Sequence, residues 1–213
     1  MPEAKPQKGM ERGTLLLADI SGYTAFLQSV GNAHAADMAA GTFVPTAYPL
    51  LTSLLDGIIE QVTPPFTLSK VEGDAVFAFA DEDGAFPRGE ELYGCLTACY
   101  QAFRKRLDEA RTLMLCDCDA CGSIESLDLK FVLHHGEYVV QSVAGHPELL
   151  GPDVTISHLL LKNHATDVVG CSAYALFTER AAAELAVPLA RAFPITEHYD
   201  HYPPVQARVL VLS

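Results

Sequence analysis

The stretch LSKVEGDAVFAFA, from Leu68 to Ala80, decides how the rest of the chain is read. Leu68 and Val71 lead in, and Ala75, Val76, Phe77 and Phe79 lead out, so the pattern predicts a strand, a turn and a second strand. Glu72, Gly73 and Asp74 fall at the tip, with Lys70 just before them. Two carboxylates and a glycine at the tip of an apolar hairpin ask for a reason. A turn alone supplies one, because Asp hydrogen-bonds its own backbone there. A site supplies another.

Upstream, GTLLLADI (Gly13 to Ile20) is an apolar run that predicts a buried strand. SGYTAFLQSV then predicts a helix start with Ser21 as N-cap. Helical spacing continues through Leu50, Leu51, Leu54, Leu55, Ile58 and Ile59 until Pro64-Pro65 stops it. Downstream, residues 89–113 form a long helical pattern, followed by the loop CDCDACGSIES. LDLKFVLHHGEYVVQSVAG predicts two strands joined at His134-His135-Gly136, and PDVTISHLLLKNHA a short helix. A further helix is expected over roughly 173–186, and PPVQARVLVLS closes the chain as a strand. The layout is α+β, one mixed and mostly antiparallel sheet with helices mainly on one face. Residues 1–12 are expected to be a flexible lead-in and 13–213 a single domain.

With 14 basic against 27 acidic residues the formal charge is -13. A nucleic-acid surface needs a basic stripe, and none is present, so nucleic acid is not an expected partner. Arg104-Lys105-Arg106 reads as a solvated helix face. The first residues lack the apolar core of a secretory signal, and no apolar run approaches the roughly 18 residues of a membrane span. A soluble cytoplasmic protein without a membrane partner is expected. Six cysteines in such a chain point to free thiols or metal before disulfides. Cys116, Cys118 and Cys121 form C-x-C-x-x-C in a polar loop. Three thiolates so spaced can close around a structural Zn²⁺, with a fourth ligand that the sequence does not mark; three plain loop thiols are the alternative. Cys95, Cys99 and Cys171 read as small apolar core residues. No helical H-E-x-x-H marks a catalytic zinc, and no G-x-S-x-G elbow marks a serine hydrolase.

Asp19 ends the first predicted strand and Asp74 opens the third. In a ferredoxin-like core those strands lie side by side, and their carboxylates meet at one edge. Two carboxylates with a backbone carbonyl suit a hard dication such as Mg²⁺, and two such ions suit phosphoryl or nucleotidyl transfer. The SGYT segment before the helix offers backbone N–H groups to phosphate, and Gly22 permits close approach.

These motifs, in this order, resemble the class III nucleotidyl (adenylate and guanylate) cyclase catalytic domain. LLLADISGYTAF is similar to that family's first metal-binding segment and KVEGDAVFAF to its second. LKFVLHHGEYVVQSV, GPDVTISHLLLK and YPPVQARVLVL resemble its later strands and helix more loosely. The EGDA, CDCDAC and HHGE segments resemble an uncharacterised bacterial branch of the same fold, a family of unknown function. The resemblance implies a ferredoxin-like core and Mg²⁺ or Mn²⁺ on Asp19, Asp74 and the Ile20 carbonyl. It implies a triphosphate turn at Gly22, Tyr23 and Thr24, purine-reading residues at Lys70 and Glu148, ATP as ligand, and a head-to-tail homodimer.

The departures are as specific. Where the family's helix carries Asn and, four residues later, Arg, this chain has Thr155 and Leu159. HYDHYPP lacks the phosphate-holding Lys of the family's last turn, and Lys162 near Leu159 reads as a solvated side chain. The expectation is a cyclase-homology domain that keeps metal and nucleotide contacts with little or no cyclase activity. An active homodimeric adenylate cyclase and a non-catalytic interaction module are its rivals.

Overall fold

Strand β1 (Glu11–Ser21) shows why the sequence adopts its architecture. Leu16, Ala18 and Ile20 point into one apolar core, Leu15 and Leu17 into another. A strand buried on both faces needs paired neighbours at both edges and cover on both sides. The computed structural model describes residues 9–41, 44–82, 84, 86–113 and 116–212. Within them β1 leads to α1 (Tyr23–Ala33), α2 (Ala35–Ala39), α3 (Ala47–Val62), β2 (Thr67–Glu72), β3 (Ala75–Asp81) and α4 (Gly89–Leu113). Then follow α5 (Asp119–Gly122), a 3₁₀ turn (Ser123–Ser126), β4 (Asp128–Val143), β5 (His146–Leu150), α6 (Pro152–Leu159) and α7 (Ala165–Val169). The chain ends with β6 (Tyr174–Thr178), α8 (Glu179–Glu184), β7 (Phe193–Glu197) and β8 (Val205–Val211).

The strands run in the order β2-β3-β1-β4-β6-β8-β7, with β5 paired to the far end of β4. Every pairing is antiparallel except β4 with β6. The first four strands and their helices are a β-α-β-β-α-β ferredoxin-like unit. The long helices α3 and α4 cover one face. Along α4 the buried residues are Leu92, Leu96, Cys99, Phe103, Leu107 and Ala110, a spacing of three and four that makes one apolar stripe. They meet Leu51, Leu54 and Ile58 of α3. The shorter α6 and α7 cover the other face through Val154, Ile156 and Ala165. The expected α+β class, mostly antiparallel sheet and one-sided long helices are all present.

Several local expectations are corrected. β4 is one strand of 16 residues, not two joined at Gly136. Gly136 is there for closeness: a Cβ on it would lie 2.3 Å from the Asp153 carboxylate. His134 and His135 are buried in mid-strand beside Thr178 and Thr14. The helix expected over 173–186 is strand β6 followed by the short α8, because Tyr174–Thr178 is buried throughout and shows no alternation to mark it. Ser21 ends β1, and the N-cap of α1 is Gly22. Glu11 and Arg12 already belong to β1, while residues 1–8 of the expected lead-in lie outside the described residues. Cys99 is buried as expected, but Cys95 is exposed and Cys171 intermediate. Of the basic triplet only Lys105 is on a solvated face; Arg104 donates to the Leu127 carbonyl at 3.1 Å and Arg106 to that of Ser53 at 2.9 Å.

Candidate functional site

The β2–β3 hairpin closes through a two-residue turn, with Glu72 paired to Ala75 and Gly73-Asp74 between them. β3 lies beside β1 with Ala75 opposite Asp19, and the Ile20 N–H donates to the Asp74 carbonyl at 3.2 Å. Asp19 and Asp74 therefore line one open cleft of about 450 Å³, together with Ile20, Gly22, Tyr23 and Thr24. Burial first, and then the Asp19 charge, holds the Asp74 carboxyl above its usual range. Burial and then Asp74 push the Tyr23 phenol up in the same way. Gly22 has φ +86°, a left-handed conformation that favours glycine, and α1 starts there without a side-chain cap. The first-turn residues of α1 thus present uncapped N–H groups at the edge of the cleft.

Lys130 had no place in the sequence reading. It sits on β4 directly opposite Asp19, with its ammonium 3.0 Å from Asp19 Oδ2 and a hydrogen bond to the Leu161 carbonyl at 3.1 Å. Two carboxylates against one ammonium leave a single negative charge. Two hard oxygen donors, with Asp74 held above its usual range by burial and the Asp19 charge, fit a divalent cation such as Mg²⁺ or Mn²⁺, with Lys130 as a built-in competitor for Asp19.

Lys70 and Glu148 come together across β2 and β5, Nζ to Oε2 at 2.7 Å. Lys70 also contacts Glu72 Oε1 at 3.0 Å, and the other Glu72 oxygen lies 2.9 Å from His158 Nε2. The two carboxylates hold Lys70 above its usual pKa, Glu148 contributing first. His158, also missed in the sequence, spans this chain and the Val154 carbonyl at 2.8 Å. It lies on α6 one residue before Leu159, which packs against the second core, while Thr155 is exposed and bonds back to the Gly151 carbonyl. Lys162 is exposed. Within one chain the Lys70–Glu148 pair does not line the Asp19–Asp74 cleft.

Cys116, Cys118 and Cys121 are brought together, and His34 joins them from the junction of α1 and α2. The Cys121 N–H donates to Cys118 Sγ at 3.4 Å, and this draws the Cys118 thiol down to about 7. No signal near His34 in the sequence marks it, because the three thiols are 82 or more residues away.

The family described as "Protein of unknown function (DUF2652)" matches residues 51–168. "Uncharacterized protein Rv2561/Rv2562" of Mycobacterium tuberculosis is 32% identical over 167 residues, covering 71% of this chain and 72% of its own. Among solved structures, the guanylyl cyclase Cya2 superposes with a TM-score of 0.65 at 12% identity, over 97% of this chain and 95% of its own. The adenylyl cyclase CyaB from P. aeruginosa does so at 0.63 and 13%, over 95% of each chain. Among the described residues no helix is long and apolar enough to cross a membrane. The chain belongs to the family described as DUF2652, and its fold is that of the class III adenylyl and guanylyl cyclase domains.

Proposed function

We propose that this protein is a cyclase-homology domain that binds a nucleoside triphosphate such as ATP with Mg²⁺ or Mn²⁺ and turns it over slowly or not at all. The observation that carries the reading is the convergence of Asp19, Asp74 and the uncapped first turn of α1 on one cleft. Asp19 and Asp74 would hold the cation, with the Ile20 carbonyl beside them. A dication there supplies positive charge to phosphate oxygens. The Gly22, Tyr23 and Thr24 backbone receives the triphosphate at the helix N-terminus. Lys70 and Glu148 are the groups proposed to read the purine, after the family pattern. Because they lie outside the cleft of their own chain, a purine read by them would belong to a triphosphate in a partner's cleft, which favours a homodimer.

The family pattern argues against fast chemistry. Thr155 stands where that pattern has an Asn to position the ribose, and Leu159 where it has an Arg to stabilise charge on the transferring phosphate. One lost transition-state donor costs about 3–4 kcal/mol, or a hundred- to a thousandfold in rate. Ground-state contacts can persist without it, so binding outlives turnover. The test is ATP binding by calorimetry with Mn²⁺, beside a cyclic AMP assay, on wild type and Asp74→Asn. Metal-dependent binding lost in the variant, with cyclic AMP near background, is the expected result. Robust cyclic AMP production abolished by the substitution would make the protein an active cyclase. Absence of metal-dependent binding would leave an interaction module in which Asp19 and Asp74 only shape turns.

A further inference from the structure

We propose that His34, Cys116, Cys118 and Cys121 form a tetrahedral Zn²⁺ site that fastens the C-terminal end of α1 to the segment between α4 and β4. The four ligand atoms all lie within 4.8 Å of one another. His34 Nε2 is 3.6 Å from Cys116 Sγ, 3.4 Å from Cys118 Sγ and 3.4 Å from Cys121 Sγ. Hydrogen bonding does not explain this arrangement. One imidazole nitrogen carries either one proton or one lone pair, so it satisfies one sulfur and not three. A central ion does explain it. With Zn–S near 2.3 Å and Zn–N near 2.0–2.1 Å, the N···S edge of a regular tetrahedron is about 3.5 Å. All three observed edges fall within about 0.1 Å of that value.

The ligand chemistry selects the ion. Three thiolates and an imidazole in tetrahedral array favour zinc over the hard Mg²⁺ and Mn²⁺ that suit the Asp19–Asp74 cleft. An iron–sulfur cluster puts a core of several atoms between its ligand pairs and would spread the four side chains wider. All six cysteines are free, so the trio is not spent on disulfides. Cys121 is fully buried, and its neighbours Ile124 and Leu127 are in the main core. The Cys121 N–H to Cys118 Sγ contact at 3.4 Å is the kind of outer interaction that fixes a ligating sulfur. The four ligands are closed around the site from two segments 82 or more residues apart, so the ion cross-links parts of the fold that local sequence does not hold together. Each thiol gives up a proton on binding, and three thiolates with the dication leave one net negative charge.

The experiment uses the full-length chain, purified under reducing conditions without chelator, with zinc then offered to any apo fraction. Elemental analysis and native mass spectrometry should find one zinc per chain. Zinc X-ray absorption should report three sulfurs near 2.3 Å and one nitrogen near 2.0 Å. Outer ligand partners are worth about 10–100-fold in affinity, so removing a direct ligand in His34→Ala should cost more than about 100-fold against a chromophoric chelator. His34→Cys should keep the metal and convert the shell to four sulfurs. Stripping the zinc should lower the melting temperature by on the order of 10 °C. A folded chain that takes up no zinc would overturn the proposal. So would undiminished zinc affinity in His34→Ala, or stoichiometric iron in place of zinc.

Discussion

Replacing Asp74 by Asn should make the metal-free protein more stable while removing most of its response to divalent cations. The Asp74 carboxyl is raised first by burial and then by Asp19, with Lys130 acting in the opposite direction. Two like charges about 4 Å apart interact by about 1 kcal/mol in water and about 4 kcal/mol at an effective dielectric of 20, and by less at longer range. Asp74 is only partly buried, so the lower end applies and the gain on neutralising it is about 1 kcal/mol. For a domain of this size that is a rise of about 2–4 °C in Tm. A carboxyl whose folded pKa is raised costs stability wherever it is ionised, and the cost disappears as pH falls through the folded value. The gap between variant and wild type should therefore be widest near neutral pH and close below about pH 4, where the unfolded carboxyl is protonated too. Metal reverses the order. A cation at a hundred times its Kd adds about 2.7 kcal/mol, or about 5–10 °C, to wild type. In Asp74→Asn the remaining Asp19 is already neutralised by Lys130 at 3.0 Å, so the shift should shrink to about 2 °C or less. Thermal melts with and without Mn²⁺ at pH 4 and pH 7 measure all of this. A variant that melts lower than wild type at pH 7 without metal, or that gains the full Mn²⁺ shift, would refute the reasoning.

Gly136→Ala should cost about 1–3 kcal/mol, read as a lower Tm, because the new methyl meets a carboxylate that cannot swing away. Asp153 is held by the Glu137 N–H at 2.7 Å, His134 at 3.1 Å and Arg180 at 3.2 Å. Gly31→Ala, with nothing within 4 Å of the added Cβ on α1, should instead gain about 0.5–1 kcal/mol in the same melt. A double-mutant cycle on Lys70 and Glu148, each about a third exposed, should return less than about 1 kcal/mol of coupling in stability. Lys70→Ala should nonetheless weaken Mn²⁺-dependent ATP binding, measured by calorimetry. Thr155→Asn with Leu159→Arg should raise cyclic AMP output above the wild-type level in a concentration-dependent way if the homodimer forms; unchanged output at every protein concentration would count against the proposed site.

The sequence was most legible where one element carries its own period. β1 and α4 announce themselves, the first as an apolar run and the second as a stripe of three- and four-residue spacing. Asp74 was legible because the hairpin pattern locates its turn, and Asp19 because it lies near the end of the apolar run of β1. Local signals misled where a residue answers to a distant neighbour. His134-His135-Gly136 reads as a turn, yet the histidines are buried against Thr178 and Thr14, and the glycine makes room for Asp153. Lys130, His158 and His34 carry no local mark, because their partners arrive from other strands and helices.

Those unmarked residues also connect the two proposed sites. Helix α1 begins at the Gly22 turn, beside Asp19 and Asp74, and ends at His34 among the three thiols. Its 11 residues span about 16 Å, and a helix of that length moves as a stiff unit. If zinc anchors the far end, the direction in which the first-turn N–H groups face the cleft depends on it. Zinc removal should therefore weaken Mn²⁺-dependent ATP binding without touching a nucleotide contact, and His34→Cys, which keeps the anchor, should preserve it. Equal ATP affinity in the zinc-bound and zinc-stripped folded protein would show that β1 and Leu127, which packs under Gly22, already fix the turn on their own.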